Sequence, residues 1–281
     1  MTEVNRMKLA AIGDIHSNHI ALEACIRWVR RHDIDGIVFL GDYVTDCPYP
    51  QKTVDILQAV SKEYKCFFIR GNREDYLLKH RASPSGWKQG SRSGALLYTY
   101  NSLDGAALDW FSQMPVELDI FGSIHTVHVP PYHTPRQKQP PEELLEAAVQ
   151  GMTSSVLLCA HSHYPLVYRQ DGRLIVNCGS LGVPNGETGA FFAVLEYTDR
   201  WDAEIIHLDY DIEAVCGGFG ESGMLNMSGM WGLGTMKMLR TGREYAVDCS
   251  DEVARLLALY PDRTENEELW TEAARNIGLI T

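Results

Sequence analysis

The feature that most constrains the fold of this chain is a recurring pattern in which a short apolar run ends abruptly in glycine and polar residues. The first run, residues 9–12, leads into Gly13, Asp14, Ile15 and His16. Such a run predicts a buried strand whose carboxyl end carries polar side chains into a loop. Because open α/β sheets bind ligands beyond the carboxyl ends of their strands, we expect the chemistry of this chain to lie there.

Asp14 and His16 are two positions apart, which favours a metal site. If the chain stays extended after the strand, both side chains leave the same face and can converge on one cation. Alone, the pair is a weak signal, because an aspartate helix cap beside a solvent-exposed histidine has the same sequence.

Four later apolar runs end in the same way, at residues 36–40, 66–70, 124–127 and 156–160. Each delivers oxygen or imidazole donors at its end: Asp42, Asn72, His128, and the pair His161 and His163. Together with the first run, five strand ends therefore offer ligands for a hard or borderline cation.

The segments between these runs predict an α/β sandwich. Residues 18–31 and 53–62 place apolar side chains at helical spacing, and Ser17 is a candidate N-cap for the first helix. Strands alternating with such helices predict right-handed crossovers and a parallel sheet. Further strands with antiparallel connections are predicted later in the chain, at residues 166–169, 174–177, 190–197 and 203–209.

The ordered set G-D-x-H, G-D, G-N, H and H-x-H resembles the calcineurin-like metallophosphoesterase superfamily, of the bacterial phosphoesterase type, over roughly residues 8 to 197. The resemblance implies a four-layer αββα sandwich of two mixed sheets flanked by helices. It also implies hydrolysis of phosphodiesters or phosphomonoesters through attack by a metal-bridged hydroxide. We therefore expect a metallophosphoesterase domain over residues 7–210.

The resemblance also implies a ligand set for two metal ions. Asp42 corresponds to the bridging ligand and is a catalytic residue. The first site is completed by Asp14, His16 and His163, and the second by Asn72, His128 and His161. Oxygen and imidazole donors without thiolate favour manganese, iron or zinc, as divalent or trivalent ions. The implied substrate is a small-molecule or nucleotide phosphoester.

One departure from the family pattern lies next to Asn72. Relatives that dephosphorylate proteins carry Gly-Asn-His, whereas this chain has arginine at position 73. Because arginine keeps its proton, Arg73 is expected to bind phosphate, with Asn72, and to stabilise charge as a catalytic residue, but not to act as a general acid. The alternative is an Arg73 paired with Glu74 or Asp75 on a helix surface.

A second departure lies at the fourth-motif histidine. The family has His-Gly there, but Val129 follows His128, and a β-branched residue disfavours the left-handed conformation that glycine adopts. His128 is nevertheless chosen over His125, because it lies at the exit of the predicted strand. His133, in the following loop, stays open as the alternative ligand.

From about residue 211 the composition changes, and we expect a small helical C-terminal extension over residues 211–281. Residues 253–260 and 267–277 predict its two helices. Residues 217–235 are rich in glycine, and five of the nine methionines lie at positions 224–238. Packing is the predicted role of this methionine stripe, because methionine fills irregular gaps. A lid, an adaptable binding surface and an oligomerisation surface are the alternatives.

Composition narrows the class of partner. The formal net charge of −12 disfavours general binding to nucleic acid or anionic membranes, because the average field repels both. Seven cysteines without a Cys-x-x-Cys pair predict a reducing compartment, the cytoplasm. The first apolar run, broken by Asp14 and His16, is too short for a secretory signal or a membrane span.

Two functions of different classes remain. The first is the phosphoesterase, and the alternative is a catalytically weak or inactive protein-binding scaffold of the same fold. The seven donors favour the enzyme, because a scaffold has no need of them. The natural substrate and the oligomeric state, including a homo-oligomer, stay open, because specificity lies in loops and in the C-terminal extension.

Overall fold

Two five-stranded sheets lie face to face in the computed structural model, which describes residues 6–84, 86–134 and 139–281. The strands are β1 (Met7–Ile12), β2 (Gly36–Phe39), β3 (Lys65–Phe68), β4 (Glu117–Ile120), β5 (Ile124–Val127), β6 (Val156–Cys159), β7 (Pro165–Gln170), β8 (Arg173–Cys178), β9 (Ala190–Tyr197) and β10 (Trp201–Leu208). The helices are α1 (His19–Val29), α2 (Pro50–Val60), α3 (Asn72–Ala82), α4 (Gly94–Ser102), α5 (Gly105–Gln113), α6 (Glu142–Gly151), α7 (Ile212–Glu221), α8 (Met224–Thr241), α9 (Tyr245–Leu259) and α10 (Glu267–Asn276).

Both sheets are mixed. The first has the order β10-β9-β1-β2-β3. Strands β1, β2 and β3 are parallel to one another, and β9 runs antiparallel to both of its neighbours, β1 and β10. The second has the order β4-β5-β6-β8-β7, with three parallel central strands and an antiparallel strand at each edge. The predicted parallel β-α-β-α-β unit, the hairpin of β7 and β8, and the α/β sandwich are thereby confirmed.

Side-chain alternation along the buried strands produces the four layers. In β1, Ala10 and Ile12 pack with α1 and α2 on the outer face, whereas Leu9 and Ala11 pack against the second sheet. On the far side, α6 covers Leu157 and neighbouring residues of the second sheet. Strands buried on both faces are continuous apolar runs, which is why the sequence reveals them.

Two predicted details of the first helices are wrong. The N-cap of α1 is Asn18, whose side chain accepts the Ala21 N–H, and not Ser17. Ser17 makes a different hydrogen bond, in which its hydroxyl oxygen accepts the Thr45 N–H. Helix α2 begins at Pro50, before the predicted residue 53, because proline is well suited to the first turn of a helix.

The C-terminal segment holds four helices, α7 to α10, where two were predicted. Helices α7 and α8 were not predicted, because their glycines lower helix propensity. Here they allow close packing: a Cβ at Gly234 would lie 2.7 Å from the Ala246 backbone of α9. Met224 and Met238 are buried, in keeping with the packing role, and the domain boundary at residue 211 stays a prediction. Among the residues described, no helix is long and apolar enough to cross a bilayer.

Candidate metal centre

The carboxyl ends of the central strands of both sheets meet at one edge of the sandwich. Loops after β1, β2 and β3 bring Asp14, His16, Asp42 and Asn72 from the first sheet. Loops after β5 and β6 bring the remaining predicted ligands, His128, His161 and His163, from the second. The structure therefore brings all seven predicted ligands into one cluster.

The first group of donors is formed by Asp14, His16 and His163, which each offer one atom within 4.8 Å of the others. His16 Nε2 lies 3.2 Å from His163 Nε2. Asp14 Oδ1 lies 3.7 Å from the former and 3.4 Å from the latter. Asp14 and His16 are buried, and His163 is partly exposed.

The second group is formed by Asp42, His128 and His161, again with one atom each within 4.8 Å of the others. His128 Nε2 lies 3.4 Å from Asp42 Oδ2, 3.3 Å from His161 Nδ1 and 3.1 Å from Asn72 Oδ1. Asp42 Oδ2 also lies 3.8 Å from His16 Nε2 of the first group. Asp42 therefore lies between the two groups, as a shared ligand must.

The backbone after the strands is left-handed at five of these residues, and this conformation directs their side chains towards the cluster. Asp14 (φ 50°), His16 (φ 49°), Asp42 (φ 53°), His161 (φ 70°) and His163 (φ 61°) all have positive φ. The expectation that an extended chain brings Asp14 and His16 together is therefore wrong, because a tight loop does so. Non-glycine residues pay about 1–2 kcal/mol for this conformation, and such strain concentrates at functional sites.

Hydrogen bonds donated by ring nitrogens fix how three histidines face the cluster. His128 Nδ1 donates to Leu40 O at 2.7 Å, and His163 Nδ1 donates to Val183 O at 2.8 Å. His16 Nδ1 lies 2.9 Å from Asp46 Oδ2 and donates to it. With Nδ1 engaged in this way, the neutral form of each ring carries its lone pair on Nε2, which faces the cluster, as in a metal-binding imidazole.

A buried oxygen without a partner tests whether these residues fit a cation. Asp14 Oδ1 is buried and accepts no hydrogen bond from any described residue. Burial opposes protonation of His16, but the nearby carboxylates of Asp14 and Asp46 outweigh it and raise the pKa of His16 to about 9. Burial is likewise outweighed at His128, where Asp42 raises the pKa to about 10. The cluster thus stabilises positive charge at its centre, so the residues fit the implied metal ions.

Arg73 enters the site from the first turn of α3. Its backbone N–H donates to Asp42 Oδ1 at 2.8 Å, and its Nη2 lies 3.1 Å from Asp46 Oδ2. Its Nε is buried without a hydrogen-bond acceptor among the described residues, 3.9 Å from Asp42 Oδ2. The guanidinium therefore lies beside the proposed bridging carboxylate and faces the cleft above it.

The alternative for Arg73, a surface pair with Glu74 or Asp75, is wrong. Asp75 pairs with Arg70, at 2.7 Å. Glu74 is buried and accepts the backbone N–H groups of Gly71, Asp42 and Tyr43. These bonds clamp the loops after β2 and β3 together. A glutamate at the third helical position after the N-cap is a capping signal that the sequence contained but that sequence reasoning missed.

Asp46 is the second residue that sequence reasoning missed. It lies in the loop between β2 and α2, is 6% exposed, and contacts both His16 and Arg73. Burial opposes its ionisation, but Arg73 and His16 hold the pKa of Asp46 well below its usual range. Its position in the sequence does not indicate this role, because His16 and Arg73 come from two distant segments.

The geometry favours His128 over the other two histidines. His125 lies on the opposite side of β5 and pairs with Asp119 at 2.7 Å. The His133 ring packs edge-on against His161, with centroids 4.6 Å apart, at the rim of the cleft. Val129 does not adopt a positive φ, so the loop after His128 does not need the missing glycine.

A cleft of about 750 Å³ opens over the two groups. One wall carries Arg73, His161, His163 and Tyr164, and the other is the turn between α8 and α9, with Arg243 and Glu244. Clefts of this size bind small organic molecules. The C-terminal helices therefore shape the space above the candidate metal centre.

Comparisons with known proteins agree with this geometry. The family described as calcineurin-like phosphoesterase matches residues 7–173. The uncharacterized protein MJ0912 of Methanocaldococcus jannaschii is 26% identical over 230 residues, which cover 73% of this chain and 88% of that protein.

Two crystal structures show the same fold. The hypothetical protein PH1004 from Pyrococcus horikoshii OT3 has a TM-score of 0.71 at 21% identity and covers 85% of this chain and 99% of its own. A metallophosphoesterase from Sphaerobacter thermophilus has a TM-score of 0.64 at 22% identity, with 77% and 95% covered. The predicted four-layer sandwich is thus confirmed.

Proposed function

Because this chain belongs to the calcineurin-like phosphoesterase family, we propose that it is a phosphoesterase that works with two metal ions. One ion is assigned to Asp14, His16 and His163, the other to Asn72, His128 and His161, and Asp42 is assigned to both. The observation that carries the proposal is the convergence of two donor groups, with a buried, unsatisfied Asp14 oxygen in the first and Asp42 between them.

The metal ions and the protein side chains have separate roles in the proposed reaction. When bound, two ions of manganese, iron or zinc neutralise phosphoryl oxygens and activate water for in-line attack. Arg73 binds the phosphoryl group and stabilises the charge that develops there, together with the Asn72 amide. Because the guanidinium does not give up its proton, the departing oxygen leaves without help from Arg73 as an acid.

The cleft supports a small-molecule or nucleotide phosphoester as the substrate. Its volume, about 750 Å³, holds a phosphoryl group together with an organic ester group. A net charge of −12 argues against general binding of nucleic acid. All seven cysteines are free thiols, and this supports a reducing compartment such as the cytoplasm.

A matched pair of histidine variants tests the proposal. Metal-depleted wild type should regain hydrolysis of bis(4-nitrophenyl) phosphate or 4-nitrophenyl phosphate when Mn²⁺, Fe²⁺ or Zn²⁺ is added. His128→Asn should lower kcat/KM by roughly 100-fold or more, because losing a ligand exceeds the usual effect of losing an outer partner. His125→Asn, in the strand that His128 directly follows but facing the surface, should leave kcat/KM unchanged.

Two outcomes would contradict this function. Hydrolysis that is insensitive to metal removal would exclude a metal-dependent mechanism. Bound metal without hydrolysis of either ester would favour the protein-binding scaffold of the same fold.

A further inference from the structure

Asp46 connects the metal centre to the rest of the molecule. Its Oδ2 accepts from His16 Nδ1 at 2.9 Å, from Thr45 Oγ1 at 3.1 Å and from Arg73 Nη2 at 3.1 Å. One carboxylate oxygen therefore holds a proposed metal ligand and the proposed phosphate-binding arginine at the same time. Any rotation of this carboxylate would move both side chains.

Trp231 holds the other oxygen of the same carboxylate. Its indole Nε1 donates to Asp46 Oδ1 at 2.8 Å across a sequence separation of 185 residues. The indole is partly buried between two apolar clusters, one within the C-terminal helices and one that joins them to the rest of the molecule. Because an indole N–H is a donor only, this bond fixes the carboxylate plane without competing for His16.

A break in α8 sets the position of Trp231. At Gly229 the backbone leaves the helical region, with φ 50° and ψ −127°. The Met230 N–H then donates to Ser91 Oγ at 2.8 Å, and that hydroxyl donates to Glu267 Oε2 at 2.6 Å. The chain after the break is thus anchored through Met230 to α10 and to the loop before α4, and Trp231 follows directly.

We propose that Trp231 is a positioning residue of the metal centre, which acts through Asp46 on the orientation of His16 and Arg73. The inference rests on the proposed function, because it concerns the ion assigned to His16. It gives the C-terminal helices a role in metal binding and turnover, beyond shaping one wall of the cleft. Carboxylates that orient metal-binding histidines act in this way, and their loss weakens metal binding roughly 10- to 100-fold.

The chain offers a matched control. Trp270 Nε1 donates to Glu265 Oε1 at 3.0 Å, so it makes the same type of bond from the same helical region. Among the described residues, Glu265 contacts none of the proposed ligands, and its ion-pair partner is Arg92. Trp231→Phe and Trp270→Phe therefore both remove an indole-to-carboxylate bond, but only the first bond leads to His16.

Calorimetric titration of metal-depleted protein with Mn²⁺ is the principal measurement. Trp231→Phe should weaken binding roughly tenfold and alter the visible absorption of the Co²⁺-loaded protein, which reports ligand geometry. Trp270→Phe should bind Mn²⁺ as the wild type does, with an unchanged Co²⁺ spectrum. Melting of the metal-free proteins gives the packing cost of each substitution separately.

A double-mutant cycle tests whether Trp231 acts through Asp46. Asp46→Ala should weaken Mn²⁺ binding roughly 10- to 100-fold, and Trp231→Phe should add almost nothing in that background. If Trp231→Phe does not fold, 3-benzothienylalanine at position 231 keeps the shape of the ring and removes only the N–H.

Failure of this inference can be distinguished from failure of the proposed function. Wild type that binds no Mn²⁺ would overturn the proposed function and this inference with it. Wild type that binds Mn²⁺, with unchanged affinity and Co²⁺ spectrum in the position-231 variants, would overturn the inference alone. Additive effects in the cycle would show that Trp231 does not act through Asp46.

Discussion

At the scale of single residues, the main feature of the candidate metal centre is a group of buried carboxylates. Asp14, Asp42 and Asp46 are all nearly inaccessible to water. A buried carboxylate is costly unless it is paired and hydrogen-bonded. Arg73 lies beside Asp42 and Asp46, and the imidazoles of His16 and His128 face Asp14. The residues thus leave a place for added positive charge where the two donor groups meet.

Arg73 predicts how the rate depends on the leaving group. Because arginine cannot protonate the departing oxygen, the rate should fall steeply as the leaving-group pKa rises. Aryl phosphates and aryl phosphodiesters should be good substrates, and alkyl monoesters such as phosphoserine poor ones. Arg73→His should flatten this dependence if the imidazole reaches the oxygen. Arg73→Ala should raise KM by roughly tenfold, from the loss of a charged hydrogen bond, without flattening it.

A series of substituted phenyl phosphates, run with the wild type and both variants, measures these slopes. Equal slopes and equal KM values in all three proteins would mean that Arg73 takes no part in catalysis or phosphate binding.

At the scale of elements, strand ends supply the donors and helices hold the loops that carry them. Three of the five apolar runs, those that form β1, β2 and β6, could be read as strands because they are buried on both faces. Their left-handed exits at Asp14 and Asp42 could not be read, because such conformations depend on hydrogen bonds from distant loops. His16 N–H, for example, donates to Asp42 O at 3.0 Å.

The break in α8 predicts a large effect of a small substitution. Gly229→Ala should lower the free energy of unfolding by about 1–3 kcal/mol, because only glycine adopts this conformation without strain. The added Cβ would also lie 2.6 Å from Ser91 Oγ. Gly220→Ala, in the exposed last turn of α7 with no atom within 4 Å of the new Cβ, is the control. It should raise the same free energy by roughly 0.5–1 kcal/mol.

Urea unfolding of both variants and the wild type gives these differences. A Gly229→Ala protein as stable as the wild type would show that the break in α8 is not required by the packing around Ser91.

At the scale of the whole molecule, the site exists only because separate parts of the chain meet. The first sheet supplies Asp14 and Asp42, the second supplies His128 and His161, and the C-terminal helices supply Trp231. The first two contributions were predictable from motifs at strand ends. The third was not, because Trp231 follows glycine-rich sequence and meets Asp46 only through the packing of α8 on α4 and α10.

The central claim, two ions that share Asp42, is tested most directly by Mn²⁺ stoichiometry together with electron paramagnetic resonance. Metal-depleted wild type should bind about two Mn²⁺ per chain and give the multiline spectrum of two exchange-coupled ions. Asp42→Asn should fold but lose at least one ion and the coupled signal. A wild type that binds about one ion or none, or an Asp42→Asn protein with wild-type stoichiometry and spectrum, would contradict the account.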